Sequence, residues 1–258
     1  MTRSVSRREA LKYALAAPVL AGLGTAAVTT GVPRASAAGM KLIDFAERLV
    51  SPEQIKAAGF DGALVYVSEL RPGATFDFKP VTREFTDGMR AQGLHVVSCY
   101  QYGKPGWPHS PSDFTRGYDG GISDATTALG LHGAAGGPNS APIFFSVDEP
   151  IDSTTWKSVA LQWFRGLNSV LGVERTGIYG GNRECVWAIA DGVVGHSSTP
   201  GFRWAWQTKA WSGGVREPAA VLFQREVVTA VDPGVLIDGV HVDVDDVLAA
   251  DFGQWDRI

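Results

Sequence analysis

Eight short runs of β-branched and aromatic residues, each followed by a helical pattern or by Gly/Pro punctuation, constrain this chain more than any other feature. They are Lys41–Phe45, Ala63–Val67, Leu94–Tyr100, Pro142–Asp148, Thr176–Tyr179, Arg203–Gln207, Val221–Arg225 and Val240–Val244. Strands alternating with helices indicate the α/β class with a mainly parallel sheet. Helix signals fall at Ser51-Pro52, with proline in the first turn, and at Thr82–Gln92, Ser123–Leu131, Ser153–Leu171 and Asn182–Ala190. Beyond the sixth run no helix fits, so the last three strands are expected to join through loops or hairpins. Eight strands with a helix-poor end predict a TIM-like (β/α) barrel. The competing open doubly wound sheet would carry Gly-x-Gly-x-x-Gly after the first run or a phosphate loop, and the chain has neither.

The first 37 residues read differently. Ser6-Arg7-Arg8-Glu9-Ala10-Leu11-Lys12 precedes an apolar stretch from Tyr13 to Val28, and Ala35-Ser36-Ala37 has the small-x-small form of a cleavage site. The paired arginines resemble a twin-arginine export signal, with Ala10 where phenylalanine is usual. An ordinary secretory signal and a membrane anchor are the competing readings. The expected division is therefore 1–37 as signal peptide and 38–258 as one barrel domain. Removing 1–37 leaves 18 basic against 26 acidic side chains, a net charge of −8, which argues against a nucleic-acid partner. Nothing in the sequence requires more than a monomer. Cys99 and Cys185 are compatible with one bridge or with two buried thiols, and neither belongs to a metal-type Cys/His cluster. No metal and no cofactor are expected.

In a barrel of this type the site forms where strands end, at their carboxyl termini. Asp44 closes the first run, Ser68-Glu69 follow the second, Asp148-Glu149 close the fourth, and Asp243 lies in the eighth. Four such ends converging on one mouth make an acidic pocket, although carboxylates at strand ends also cap turns. Glycosidic cleavage needs one carboxylic acid to protonate the leaving oxygen and one carboxylate to attack or to activate water. Tyr100, Gln101, Tyr179, Trp206 and Gln207 lie at or near predicted strand ends, where they are candidates for binding a sugar; the aromatic ones could equally be core. The five histidines have no spacing that points to a metal or a triad.

These strand-end motifs resemble an exported actinobacterial family of glycoside-hydrolase-like domains, itself similar to the family 25 glycoside hydrolases, the Chalaropsis-type lysozymes. The resemblance runs through Leu42-Ile43-Asp44, Val65-Tyr66-Val67-Ser68-Glu69, Cys99-Tyr100-Gln101-Tyr102-Gly103-Lys104, Phe144-Phe145-Ser146-Val147-Asp148, Gly177-Ile178-Tyr179 and Val242-Asp243-Val244-Asp245. It implies a barrel of five β/α units followed by three strands, acting on a cell-wall polysaccharide or peptidoglycan after passage through the twin-arginine export machinery. It also implies that carboxylates on the first, fourth and eighth strands line the site.

Asp44 and Asp243 match that pattern, whereas the fourth strand departs from it. The lysozymes place Asp-x-Glu there, with the Glu as proton donor; here the acids are adjacent, Asp148-Glu149, and Pro150 follows. Neighbouring residues of a strand face opposite sides. Either the turn into Pro150 swings Glu149 inward, or Asp148 takes the acid's place and Ser146 stands where the first Asp would be. Asp44, Asp148, Glu149 and Asp243 are the catalytic candidates and Glu69 a further wall. The rival to hydrolysis is a non-catalytic carbohydrate-binding or cell-wall accessory protein on the same barrel.

Overall fold

The computed structural model describes residues 39–45, 47–107, 109–229 and 233–256. The export-signal reading of residues 1–37 lies outside them. β1 (Lys41–Phe45), β2 (Gly62–Tyr66), β3 (His95–Tyr100), β4 (Ile143–Ser146), β5 (Thr176–Gly180), β6 (Arg203–Thr208) and β7 (Ala220–Glu226) pair in chain order, each parallel to the next. A further strand, β9 (Val240–Val247), runs antiparallel to both β7 and β1 and closes the sheet into an eight-stranded barrel. Closure pairs the edges of the sheet, which would otherwise present unpaired backbone groups. The short strand β8 (Val235–Ile237), which has no counterpart among the eight predicted runs, folds back on β9 as a hairpin.

Helices cover the outside of the parallel part. α1 (Pro52–Ala57) starts with a capping box between Ser51 and Gln54, and α2 (Arg83–Ala91) is capped by the Thr82 hydroxyl. α3 (Gly117–Ala134) begins six residues before the expected Ser123, because Gly120 and Gly121 look like helix breakers in the sequence. They are contact points instead: a Cβ on Gly121 would lie 2.1 Å from the carbonyl oxygen of Trp163 on the neighbouring helix. The long helix expected over Ser153–Leu171 is divided into α4 (Ser153–Thr155), a π-helical turn (Trp156–Ala160) and α5 (Leu161–Leu171). α6 (Asn182–Ala190) coincides with its prediction.

From β6 to β7 the chain crosses in parallel without a helix. Buried Gln207 pins that loop, donating to the Ser212 hydroxyl (2.9 Å) and the Val215 carbonyl (2.7 Å) and accepting from the Glu217 amide (2.7 Å). A glutamine expected to bind substrate thus serves as the internal support of a loop. Cys99 and Cys185 are both free and buried.

Candidate active site

Antiparallel pairing sets Asp44 of β1 directly opposite Asp243 of β9, and the two-residue period of β9 brings Asp245 to the same face as Asp243. The amide nitrogen of Gln224, on β7, donates to Oδ2 of Asp44 and to Oδ2 of Asp243, 2.9 Å in each case. The two carboxylate oxygens therefore lie within twice that distance of each other. Tyr179 Oη on β5 donates to Oε1 of the same glutamine at 2.8 Å, so its amide is held at both ends. The Val228 amide donates to Oδ1 of Asp243 (2.6 Å), and Trp206 Nε1 donates to Oδ1 of Asp245 (2.6 Å).

Water is excluded from most of this cluster, and that governs its charge. Burial first, then the neighbouring Asp245, holds the Asp44 carboxyl well above the ordinary range. Burial likewise raises Asp245. Oδ2 of Asp245 is buried and receives no N–H or O–H among the described residues, so a proton carried by Asp44 toward it answers both demands. Asp243 is pushed up to about 8, by burial and then by the Asp44 charge. Three carboxylates cannot all ionise in one dry layer, so the group keeps protons at neutral pH.

The opposite side of the mouth stands on segments beyond strand ends. Pairing of β4 continues one residue further, through the Val147 amide to the Tyr179 carbonyl (2.8 Å), and Asp148 follows it into the cavity. Ser146 and Asp148 both line the cavity, as i and i+2 positions do, while Glu149 turns away and accepts from the Ser112 hydroxyl. Of the two registers open in the sequence, the structure adopts the one with Asp148 and Ser146 facing inward. Gln101 Nε2 donates to Oδ2 of Asp148 at 2.7 Å. Burial raises the Asp148 carboxyl, and the Gln101 amide, Lys104 and Lys79 oppose the rise.

The loop after β3 that carries Gln101 and Lys104 is tied down by Asp113, whose carboxylate accepts from the amides of Tyr102 and Gly103, both at 2.8 Å. Position 103 admits only glycine, since a Cβ there would sit 1.9 Å from the Pro111 carbonyl oxygen. Arg71, Phe76, Phe78 and Lys79 enter the mouth from the long segment between β2 and α2. Lys79 is buried, donates to the Gln101 carbonyl (2.6 Å) and lies 4.1 Å from the Tyr66 ring centre; burial brings its ammonium down to about 8.

Asp44, Asp148, Asp243, Gln101, Tyr179 and Trp206, six of the ten residues singled out in the sequence, thus meet at one cavity of about 150 Å³. The remaining four do not. Tyr100 is buried in the layer between barrel and helices and donates to Asp124 at 2.6 Å; Gln207 supports its loop; Glu69 is exposed; Glu149 sits with Ser112.

A barrel of this kind has known counterparts. Residues 53–247 match the family described as Rv2525c-like, glycoside hydrolase-like domain. The chain belongs to this family. A Mycobacterium tuberculosis protein bearing the name "Putative peptidoglycan hydrolase Rv2525c" is 38% identical over 256 residues, 98% of this chain and 99% of that protein. The crystal structure of the Tat-secreted Rv2525c from the same organism, in complex with L-tartrate, has a TM-score of 0.74 at 36% identity and covers 84% of this chain and 98% of that one. An uncharacterised B. stearothermophilus protein shares the fold at a TM-score of 0.53 and 16% identity, over 83% of this chain and 99% of that one.

Within this Rv2525c-like barrel, several residues of the mouth and of the layer behind it are ones that sequence reasoning passed over. Asp245 was legible: Val242-Asp243-Val244-Asp245 is a two-residue alternation, so whatever faces Asp243 also faces Asp245. Gln224 carries no such signal, since a lone glutamine in an apolar strand has no motif. Arg71, Lys79 and Lys104 lie in loop segments whose path into the mouth only the fold reveals.

Proposed function

We propose that this chain is an exported hydrolase of a cell-wall polysaccharide or peptidoglycan, with Asp148 as proton donor and with Asp44 and Asp243, backed by Asp245, facing the sugar carbon that develops positive charge. The observation that carries this reading is the convergence of Asp44, Asp148 and Asp243 on one cavity at the carboxyl end of a barrel. Burial raises the Asp148 carboxyl from its ordinary range, the direction a general acid needs. In the reaction the bond between the sugar carbon and the bridging oxygen breaks, and its electron pair leaves with the oxygen, which takes the Asp148 proton. A water then bonds to that carbon and gives its proton to an ionised member of the carboxylate group. The name of the M. tuberculosis relative supports the substrate class, and its description as Tat-secreted supports export through the twin-arginine signal in residues 1–37.

One observation favours a binding protein instead. Gln101 donates to Asp148, which favours the ionised form, and the second carboxyl expected beside it has turned to Ser112. Release of soluble sugar from purified cell walls, measured beside an Asp148→Asn variant and with pull-down on the same walls, decides between the two. Release by the parent and not by the variant supports hydrolysis. Saturable binding with no release by either overturns hydrolysis and leaves a lectin-like barrel.

A further inference from the structure

The mouth is not uniformly acidic. Arg71, Lys79 and Lys104 line one side of the same cavity whose other side carries the carboxylates. Such cations could simply neutralise those acids, but the pairing is incomplete. Asp148 is the carboxylate that interacts with Lys104, Lys79 and Arg71, while Asp44, Asp243 and Asp245 share protons and are bonded among themselves and to Gln224. Arg71 is the clearest surplus, since Asp113 and Asp148 attract it only through space and without a bond. Its side chain is only 8% exposed, it makes no ion pair and no side-chain hydrogen bond with any described residue, and its buried Nε has no acceptor. Its guanidinium is held between aromatic rings, 5.0 Å from the centre of Phe76 and 4.7 Å from that of Trp107. Contact with the two rings holds the group in place without using its N–H donors. A buried donor without a partner is costly, and a planar fork of N–H groups matches a carboxylate in two-point contact.

We propose that Arg71 and Lys104 form a carboxylate subsite, so that the sugar bound in this mouth is a sugar acid. Its acid group lies against Arg71 and Lys104. Lys79 adds positive charge from beneath, already committed to the Gln101 carbonyl. This assignment rests on the carbohydrate reading above and narrows it: a neutral sugar leaves Arg71 unanswered. It also explains how a chain of strongly negative net charge takes an anionic wall component, since the local field in the mouth opposes the global one.

The test is a titration of the protein with D-glucuronate and with its neutral methyl ester, followed by tryptophan fluorescence, for the parent and for Arg71→Gln and Lys104→Gln. The acid is expected to bind at least tenfold more tightly than the ester, about 1.4 kcal/mol, and to lose that advantage as salt rises. Arg71→Gln brings the acid to the level of the ester, and Lys104→Gln lowers the advantage by about threefold. Equal binding of acid and ester, absence of saturation by either, or a preference that survives in both variants overturns the subsite. Sugar release from cell walls by the parent is read in parallel. Release together with no preference for the acid overturns the subsite alone; a preference dependent on Arg71 without release overturns hydrolysis alone.

Discussion

Asp44, Asp243 and Asp245 stand on β1 and β9, where ladder hydrogen bonds fix the backbone on both sides, whereas Asp148, Arg71, Lys79 and Lys104 stand on segments that begin where strands stop. The first wall is dry, internally hydrogen-bonded and part of the barrel's own packing. The second wall is held by fewer ties, such as Asp113 on the Tyr102 and Gly103 amides and Gln101 on Asp148. Changes on the strand wall should therefore register in stability, and changes on the loop wall in what happens to a ligand.

The largest expected effect tests the loop wall. Asp148→Asn keeps the shape and the acceptor for Gln101 but removes the transferable proton. Loss of a positioned general acid costs about 10²–10⁴-fold in rate, so sugar release should fall by that factor while the thermal midpoint stays close to that of the parent. A large drop in midpoint with intact release would reverse the assignment of the two walls.

The strand wall is broken most directly at Gln224. Gln224→Met keeps the volume and deletes donors to Asp44 and Asp243 together with the acceptor for Tyr179. Three buried polar groups lose a partner, at about 1–3 kcal/mol each before relaxation. With water entering from the mouth to answer part of the loss, a net destabilisation of about 3 kcal/mol in denaturant unfolding is expected. A change below about 0.5 kcal/mol would show that the network contributes nothing to the fold.

The pH dependence of stability sharpens the same contrast. Asp243 has a folded-state value of about 8, against about 3.9 in an unfolded chain. Its folded form binds the proton more tightly, so the stability it contributes is complete below about pH 4, declines as pH rises and is gone above about pH 8. Asp243→Asn cannot titrate and loses a hydrogen bond, because its NH2 meets the Val228 amide or the Gln224 amide. The parent should be the more stable of the two at pH 5, with a gap in melting temperature that narrows toward pH 8. A gap that stays constant over that interval would mean that Asp243 is ionised throughout.

The strand wall was also the part legible in the sequence. Carboxylates at the ends of apolar runs imply a face and a depth, and the barrel follows from alternating strands and helices. That logic located Asp44 and Asp243, and the two-residue period would have extended it to Asp245. It failed where the chain leaves regular structure. Glu69 and Asp148 both follow a strand, yet one is exposed and the other lines the cavity, because turn geometry rather than strand period decides where each points. Tyr100 misled in another way: as the last residue of β3 it faces outward into the helix layer and meets Asp124, which is as buried as any core position. The cations Arg71, Lys79 and Lys104 had no period to betray them. Arg71 and Lys79 reach the mouth with aromatic contacts to Phe76, Trp107 and Tyr66 formed by folding, and Lys104 on the loop tied down by Asp113.

The smallest expected effect separates the two adjacent acids at the end of β4. Glu149 follows Asp148 directly, and the sequence left open which of them takes the proton-donor place. In the structure its carboxylate bonds the Ser112 hydroxyl, on the far side of the turn from the cavity. Glu149→Gln retains an acceptor for that hydroxyl and removes one partly exposed charge, a change worth less than about 0.5 kcal/mol at such a position. Sugar release and D-glucuronate binding should both stay within about twofold of the parent, which is about 0.4 kcal/mol. A loss of release comparable to that of Asp148→Asn would place Glu149 in the reaction. The turn into Pro150 would then have to open when substrate binds, and the loop wall would owe its chemistry to motion rather than to the arrangement seen in the free protein.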